Sequence, residues 1–405
     1  MLNFLNRWFK VNKGEIGMFA GALVLLFLVR SADMIFNNYA ETAFLKRFGV
    51  EYLPVMYMVN SLAIFFVMGF MTGLLTRMPG SRLLTYLLFF CGFTVAGTRF
   101  LIPMGWDLVY PLLFVMKTLY EALLGLLFWN MANDLFNTRQ SKRLFPLISA
   151  GGVCGDILAG FGTPAIAGWI MIDNLLLVYL AVTVAGALVV RTLGTRYPTL
   201  LLTGGNSKDK RKKSSLVEEI RRTVPLMKAS FLIKILVFMT FFPNVIIPIM
   251  NFQFNFIINE MFATEGGLVA FLGYFKGSMN VVSLVILLFV GRIYGRWGLP
   301  VALMFHPTNY LFVFMGFLLR FDIFAAVYAR LSTNVIRTTL NKPATDILMG
   351  LIPVDQRGVL RPFLRGTIVR IALLLGSASI LIGEHLFHPR YLSLVALPCV
   401  AAWLG

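Results

Sequence analysis

The chain has 405 residues, 58% of them hydrophobic and only 13% charged, with 36 Lys and Arg against 18 Asp and Glu. That much apolar surface excludes an ordinary soluble domain, and a net charge of +18 spread over many short loops reads as a membrane topology signal, not as a nucleic-acid surface. There is no phosphate-binding glycine loop with its lysine, no metal-ligand spacing and no nucleophile with a matching base, so the sequence predicts no enzyme, no ATP hydrolysis and no cofactor.

Runs of about 20 apolar residues recur, each long enough to cross a hydrocarbon core of about 30 Å as a helix. In chain order the predicted spans are 17–39, 52–76, 83–103, 107–131, 144–169, 175–190, 229–258, 267–290, 299–319, 322–341, 366–384 and 391–405. The expected fold class is therefore an all-α polytopic membrane protein of about twelve transmembrane helices. The first span carries Arg30 and Asp33 and lacks a small-residue cleavage site, so it reads as a span and not as a cleavable signal. The last stops at Gly405 without a polar end, which predicts a truncated helix with more chain to follow, including an additional C-terminal cytoplasmic domain or a docking site for a protein partner.

Loop charge sets the expected orientation. With both termini cytoplasmic, the inner segments hold 24 of the 36 Lys and Arg and the outer loops five: Lys46, Arg47, Arg99, Arg320 and Arg390. A cytoplasmic membrane is the expected location. Cys91, Cys154 and Cys399 lie far apart in apolar spans, and His306, His385 and His388 form no metal motif.

The longest polar stretch, TGGNSKDKRKKSSLVEEIRRT over 203–223, reads as a flexible cytoplasmic linker. Its run Lys208–Lys213 is suited to anionic lipid headgroups, and 216–222 has the pattern of a short amphipathic helix. The predicted organisation is a six-helix bundle over 1–202, a basic linker over 203–228 and a second six-helix bundle over 229–405. The loops GLLTRMPGSR over 73–82 and GRIYGRWG over 291–298 occupy the same place in each half, are both basic, and both have glycines seven apart. This is an internal repeat, and six-plus-six halves suit a transporter with its site between them. The arrangement resembles the major facilitator superfamily, whose corresponding loop carries an acid that is replaced here by Arg77 and Gly295.

Polar residues fall on single helix faces. The first span has Arg30, Asp33, Asn37 and Glu41; the fourth has Lys117 and Glu121. The seventh has Lys234 and then Asn244, Asn251, Asn255 and Asn259, with Pro248 expected to kink it. The eighth has Lys276 and Asn280; the tenth has Arg330, Asn334, Arg337 and Asn341. The resemblance implies that the first, fourth, seventh and tenth helices line a central cavity. With Arg99 counted to the outer loop and Asp107, Asp322 and Glu384 standing at or near span ends, seven bases lie inside the predicted spans (Arg30, Lys117, Lys234, Lys276, Arg330, Arg337 and Arg370) against three acids, Asp33, Glu121 and Asp156. A charge at a helix centre costs at least about 2.5–3.5 kcal/mol, so the excess of positive charge predicts a cavity that receives an anion. Arg30–Asp33 and Lys117–Glu121 are alternatively self-contained ion pairs, and Lys234 and Arg370 are placed to snorkel. Asp156 sits in GGVCGDILAG over 151–160, whose glycines predict close helix packing with Asp156 paired to a base across it.

A narrower resemblance rests on LVRSAD over 28–33, LLFWNMAN over 126–133, SKRLFPLISAG over 141–151, and NKPATD over 341–346 followed by Arg357 and Arg361. These segments resemble the ATP/ADP translocase family, the nucleotide transporters of intracellular bacteria and plastids. The departures are that the family's first-helix lysine position falls on Asp33, its fourth-helix acid on Lys117, and that no acid occurs in the seventh span. The leading expectation is secondary transport of an anionic organic solute, a nucleotide or other organic phosphate, by alternating access. Its candidate binding residues are Arg30, Asp33, Asn37, Lys117, Glu121, Asn251, Asn255, Lys276, Arg330, Asn334 and Arg337. Lys117, Arg330 and Arg337 would bind the anion, while Asp33 and Glu121 would serve as competing counter-ions and candidates for proton coupling. The rival readings are a transporter or flippase of an anionic lipid or lysolipid, and a non-transporting membrane module of a larger complex. Membrane lipids are expected partners in every case.

Overall fold

The structure is a computed structural model describing residues 13–75, 77–198, 225, 230–353, 356–357, 360–361 and 363–404. Arg7, Lys10, the Lys208–Lys213 run, the expected helix over 216–222 and all of the 203–228 linker except Pro225 lie outside the described residues.

A chain crossing hydrocarbon must satisfy its backbone hydrogen bonds within each segment. The described residues do so with helices: α1 (Ile16–Arg47), α2 (Leu53–Leu75), α3 (Gly80–Leu101), α4 (Val109–Leu135), α5 (Thr138–Trp169), α6 (Leu175–Arg196), α7 (Phe231–Met261), α8 (Glu265–Leu319), α9 (Ile323–Ile336), α10 (Lys342–Gly350), α11 (Val369–Leu386) and α12 (Leu392–Leu404). Among the described residues nine helical segments are long and apolar enough to cross a membrane, and the chain is a multi-pass integral membrane protein. The predicted spans 322–341 and 391–405 correspond to shorter helices.

Several boundaries differ from the hydropathy reading for identifiable reasons. α1 continues to Arg47, eight residues past its predicted end at 39, because its polar C-terminal turns are answered by other side chains. α5 starts at Thr138, where Asn137 forms a capping box: its side chain accepts from the backbone N–H of Arg139 and Gln140, and Gln140 accepts from the Asn137 N–H. The expected loop over 291–298 is helical up to Gly298, which at φ 77 and ψ 166 bends α8 into two arms. An L side chain would be strained in that conformation. α9 passes into a π-helical turn, Arg337–Asn341, ahead of Pro343. The Leu340 carbonyl accepts a 2.6 Å hydrogen bond from the Tyr294 hydroxyl.

The chain divides into two compact units, and the boundary runs through α2 and α8. The first comprises Met1–Phe48, Phe66–Asp209 and Thr264–Asn280; the second comprises Gly49–Phe65, Lys210–Ala263 and Val281–Gly405. In the first, α1 is central, buried against α4, α5 and α6 around Leu25, Val29, Phe36, Tyr39 and Phe128. The glycines of α5 make this contact close, as expected. A Cβ on Gly155 would stand 2.5 Å from the Phe27 carbonyl oxygen, and the Ser31 hydroxyl donates to the Gly155 carbonyl. Gly160 meets Gly277 of α8 backbone to backbone. In the second unit α7 is central, contacting α9, α11 and α12. Gly376 of α11 rests against the Val245 carbonyl, and the buried Gln253 amide donates to the Pro389 carbonyl and to Ser393 Oγ, both at 2.9 Å. Asp322 caps α9 by accepting from the Ala325 N–H at 3.0 Å. That N–H, with the Arg320 guanidinium beside it, holds the Asp322 carboxyl below its ordinary range.

Two outcomes are expected. Gly155→Leu forces apart a backbone contact that has no room for a side chain, so it lowers the thermal midpoint by the equivalent of roughly 1–3 kcal/mol or more; Gly162→Leu, where a Cβ meets nothing within 4 Å, leaves it nearly unchanged. Asp322→Ala removes a helix cap worth about 1 kcal/mol, whereas Asp322→Asn retains most of it. Because the folded-state carboxyl is the stronger acid, its charge-dependent stabilisation is present at neutral pH and fades as pH falls into the acid range. Melting curves of the two variants across pH check both statements.

Candidate functional site

The ionisable stripe of α1 is answered inside the first unit by three other helices. Arg30 donates from Nε and Nη2 to Asp156 Oδ2 of α5, at 3.1 and 2.8 Å, and from Nη1 to Glu121 Oε1 of α4 at 3.2 Å. Gly152 leaves space for the Arg30 stem; a Cβ there would lie 3.2 Å from Arg30 Cγ. One helical turn on, Asp33 is buried with Arg30, Glu121 and Asp156 around it. Two turns further, Glu41 Oε2 accepts from Lys276 Nζ of α8 at 2.7 Å and lies 3.8 Å from Lys117 Nζ of α4. Lys276 also donates to Asn37 Oδ1 at 2.9 Å, and Lys117 sits over the Phe114 ring, 4.1 Å from its centroid. The end of α1 is held the same way. Arg47 pairs with Glu265 at 2.5 Å and with Asp173 at 2.9 Å, and Tyr39 donates to Asp173 at 2.8 Å.

These contacts correct three expectations. Arg30 finds its acids on α4 and α5, not in a local pair with Asp33, because Asp156 and Glu121 approach the guanidinium from neighbouring helices. Lys117 reaches Glu41 of α1, so the local Lys117–Glu121 pair is not what balances it. Lys276, which has no acid near it in sequence, is neutralised by Glu41. Glu41, on the same face but two residues past the hydropathy end at 39, lies well inside α1 and is buried at 5% exposure. Within this cluster Arg30, Lys117 and Lys276 face Asp33, Glu41, Glu121 and Asp156, three cations against four carboxylates. The expected excess of positive charge is absent here.

The second unit is built differently. Arg330, Thr333 and Asn334 of α9 and Arg337 at the start of the π-helical turn present one face to a cavity of about 120 Å³, closed by Ile247, Met250 and Asn251 of α7 and by Tyr310 of α8. The spacings 330, 334 and 337 explain why one helix supplies three polar walls. The Arg330 guanidinium lies over the Phe254 ring, 5.5 Å from its centroid. No carboxylate lines the cavity, and among the described residues neither arginine has an ion pair. Asn251 Oδ1 is buried without a hydrogen-bond partner among the described residues. The cavity therefore offers two fixed cations, two amides and a phenol with no competing acid, a set of groups complementary to a small anionic group. Asn255, also expected at the site, is directed elsewhere: its amide donates to the Tyr57 hydroxyl at 3.2 Å. Tyr310 and Thr333 are lining residues that the sequence reading missed. Thr333 had a signal, since it lies between Arg330 and Arg337, but Tyr310 comes from another helix and had none. His306 is fully buried between Tyr310 and Trp403, with ring centroids 5.1 Å from each. No group of three metal-ligating side chains occurs among the described residues.

The described helices adopt the fold of major facilitator transporters. The nucleoside transporter NupG superposes with a TM-score of 0.65 at 14% identity, covering 95% of this chain and 98% of that one. A bacterial homologue of the iron transporter ferroportin, in an inward-facing state, gives 0.69 at 15% identity with 97% and 98% covered, and a D-xylose–proton symporter gives 0.63 at 13% identity with 96% of each. Residues 55–350 match the family described as TLC ATP/ADP transporter, and the chain belongs to that family. It is a family of transporters, not of enzymes. The ADP,ATP carrier protein 3 of Rickettsia felis and that of Rickettsia prowazekii are each 33% identical over 63 residues, a stretch covering 15% of this chain and 13% of those carriers.

Breaking the Glu41 cluster tests how it is balanced. Glu41→Gln leaves two buried ammonium groups short of a counter-charge and is expected to cost on the order of 3–5 kcal/mol, seen as a large fall in the thermal midpoint. Glu41→Gln combined with Lys276→Met recovers a substantial part of that loss, a coupling measurable by a double-mutant cycle.

Proposed function

We propose that the chain carries an anionic organic solute, a nucleotide or other organic phosphate, across a bacterial cytoplasmic membrane by secondary, alternating-access transport. The observation that carries this reading is the acid-free cavity of the second unit with Arg330 and Arg337 on its wall. Uncompensated cations are expensive inside a membrane protein, and an anionic substrate group removes that cost on binding. Arginine suits the role because its planar fork holds phosphate and carboxylate oxygens in pairs. Asn251 and Asn334 add neutral donors and acceptors, and the unpartnered Asn251 oxygen favours a ligand that also carries a hydroxyl or amino donor. Membership of the ATP/ADP transporter family and the nucleotides named for its Rickettsia relatives support a nucleotide.

In this reading the first unit contributes coupling more than affinity. Its cations already have carboxylate partners, so Arg30, Lys117 and Lys276 serve to position α1, α4 and α8. Asp33, surrounded by Glu121 and Asp156 with Arg30 the cation near it, is the group placed to exchange a proton or a counter-ion during the cycle. The six-helix halves over 1–202 and 229–405, joined by the basic linker with both termini cytoplasmic, are the proposed organisation.

A thermal-shift titration with ATP, ADP, other organic phosphates and lysolipids tests the proposal, because stabilisation grows with ligand concentration over Kd. A nucleotide or organic phosphate is expected to stabilise the wild type. Arg330→Ala or Arg337→Ala is expected to weaken binding at least about tenfold with little change in the ligand-free midpoint. Unchanged binding and uptake in both variants would remove this cavity as the site.

A further inference from the structure

A second cavity in the same unit has the opposite character. It measures about 720 Å³ and its walls include Phe231, Phe238, Leu303, Met304 and Trp403, with Lys234 as the single charged residue on its lining. That volume falls in the range of about 300–1,000 Å³ typical of ligand pockets. It shares no lining residue with the Arg330–Arg337 cavity. Its walls come from the first turns of α7, the α8 arm after Gly298, α10 and the end of α12.

We propose that this cavity seats one anionic glycerophospholipid from the surrounding bilayer, with an acyl chain against the apolar walls and the phosphate at Lys234. Three observations argue for that occupant. The lining is apolar and Phe231 and Phe238 are largely exposed, in a helix that crosses the hydrocarbon, so the medium meeting the cavity is lipid. The one charge on the lining is a lysine without an ion pair among the described residues, and an ammonium prefers an anionic headgroup to a zwitterionic one, whose own cation it repels. The cavity also lies at the strongly basic end of these helices in sequence. α7 follows the linker, with its eight Lys and Arg over 203–228, and the exposed Arg296 precedes Leu299 and Pro300 on the opposite wall. Basic pockets between transmembrane helices on the side favoured by loop lysines and arginines recognise anionic headgroups. The lipid here is a bound component, distinct from the transported solute, because its seat is separate from the arginine cavity.

The test uses the full chain purified in detergent and supplied with phosphatidylglycerol or phosphatidylcholine, reading retained lipid by native mass spectrometry and stability by thermal melting. Phosphatidylglycerol is expected to be retained and to stabilise in preference to phosphatidylcholine. Lys234→Ala should reduce that preference about fivefold, while Leu303→Trp, which fills the cavity, should reduce retention of the tightly held lipid itself. Equal retention of the two lipids by the wild type overturns the proposal, as does a phosphatidylglycerol preference that survives both substitutions. A Leu303→Trp variant that keeps its lipid but loses a dimeric mass assigns the cleft to a second copy of the chain and overturns it equally. Nucleotide binding is read separately and is expected to be unchanged in both variants, so the outcome is independent of the transport reading.

Discussion

A charge inside a membrane has to be answered, and the two units of this protein answer it in different ways. In the first, α1 places Arg30, Asp33, Asn37 and Glu41 on one face, and α4, α5 and α8 bring Lys117, Glu121, Asp156 and Lys276 to meet them. Each cation ends within reach of a carboxylate. In the second, Arg330 and Arg337 project from the α9 face into a cavity that contains no carboxylate. The balanced cluster ties helices together. The unbalanced one has a reason to bind something.

Glycine and proline make both arrangements possible. Asp156 reaches Arg30 because Gly151, Gly152 and Gly155 bring α5 against the backbone and stems of α1. Glu41 can serve Lys276 because α8 is drawn to α5 at the Gly160–Gly277 contact. In the second unit, Gly298 bends α8 and the π-helical turn at Arg337 precedes Pro343. Turns of this kind are frequent at functional sites because they re-aim a side chain without ending the helix. Here the turn begins at one of the two cavity arginines.

The two cavities of the second unit separate polar from apolar recognition. One is small and lined by guanidinium, amide and phenol groups; the other is several times larger and almost wholly apolar. A transporter working in lipid needs a receptor for its solute, and it also presents surfaces that lipid occupies at all times. Assigning the first to the solute and the second to a phospholipid keeps the two kinds of ligand chemically and spatially distinct.

Much of the fold was legible in the sequence. The helical spans followed from hydropathy, because a backbone in hydrocarbon has few alternatives to a helix. The face shared by Arg330, Asn334 and Arg337 followed from helical periodicity alone. The close packing of α5 was visible in its glycines. Charge partnership was legible only where the α5 glycines pointed Asp156 at a base on a neighbouring helix; which residue answers which was not. Glu41 meets Lys276 across 235 residues of chain, Arg30 meets Asp156 across 126, and Asn255 turns to Tyr57. Nor could spacing within one helix reveal that Tyr310 closes the arginine cavity. Hydropathy and periodicity are properties of a local segment, so the sequence determined which residues lie in the membrane and which side of a helix they occupy. Whether a buried charge is neutralised or left for a ligand depends on which helices are neighbours, and only the tertiary structure decided that.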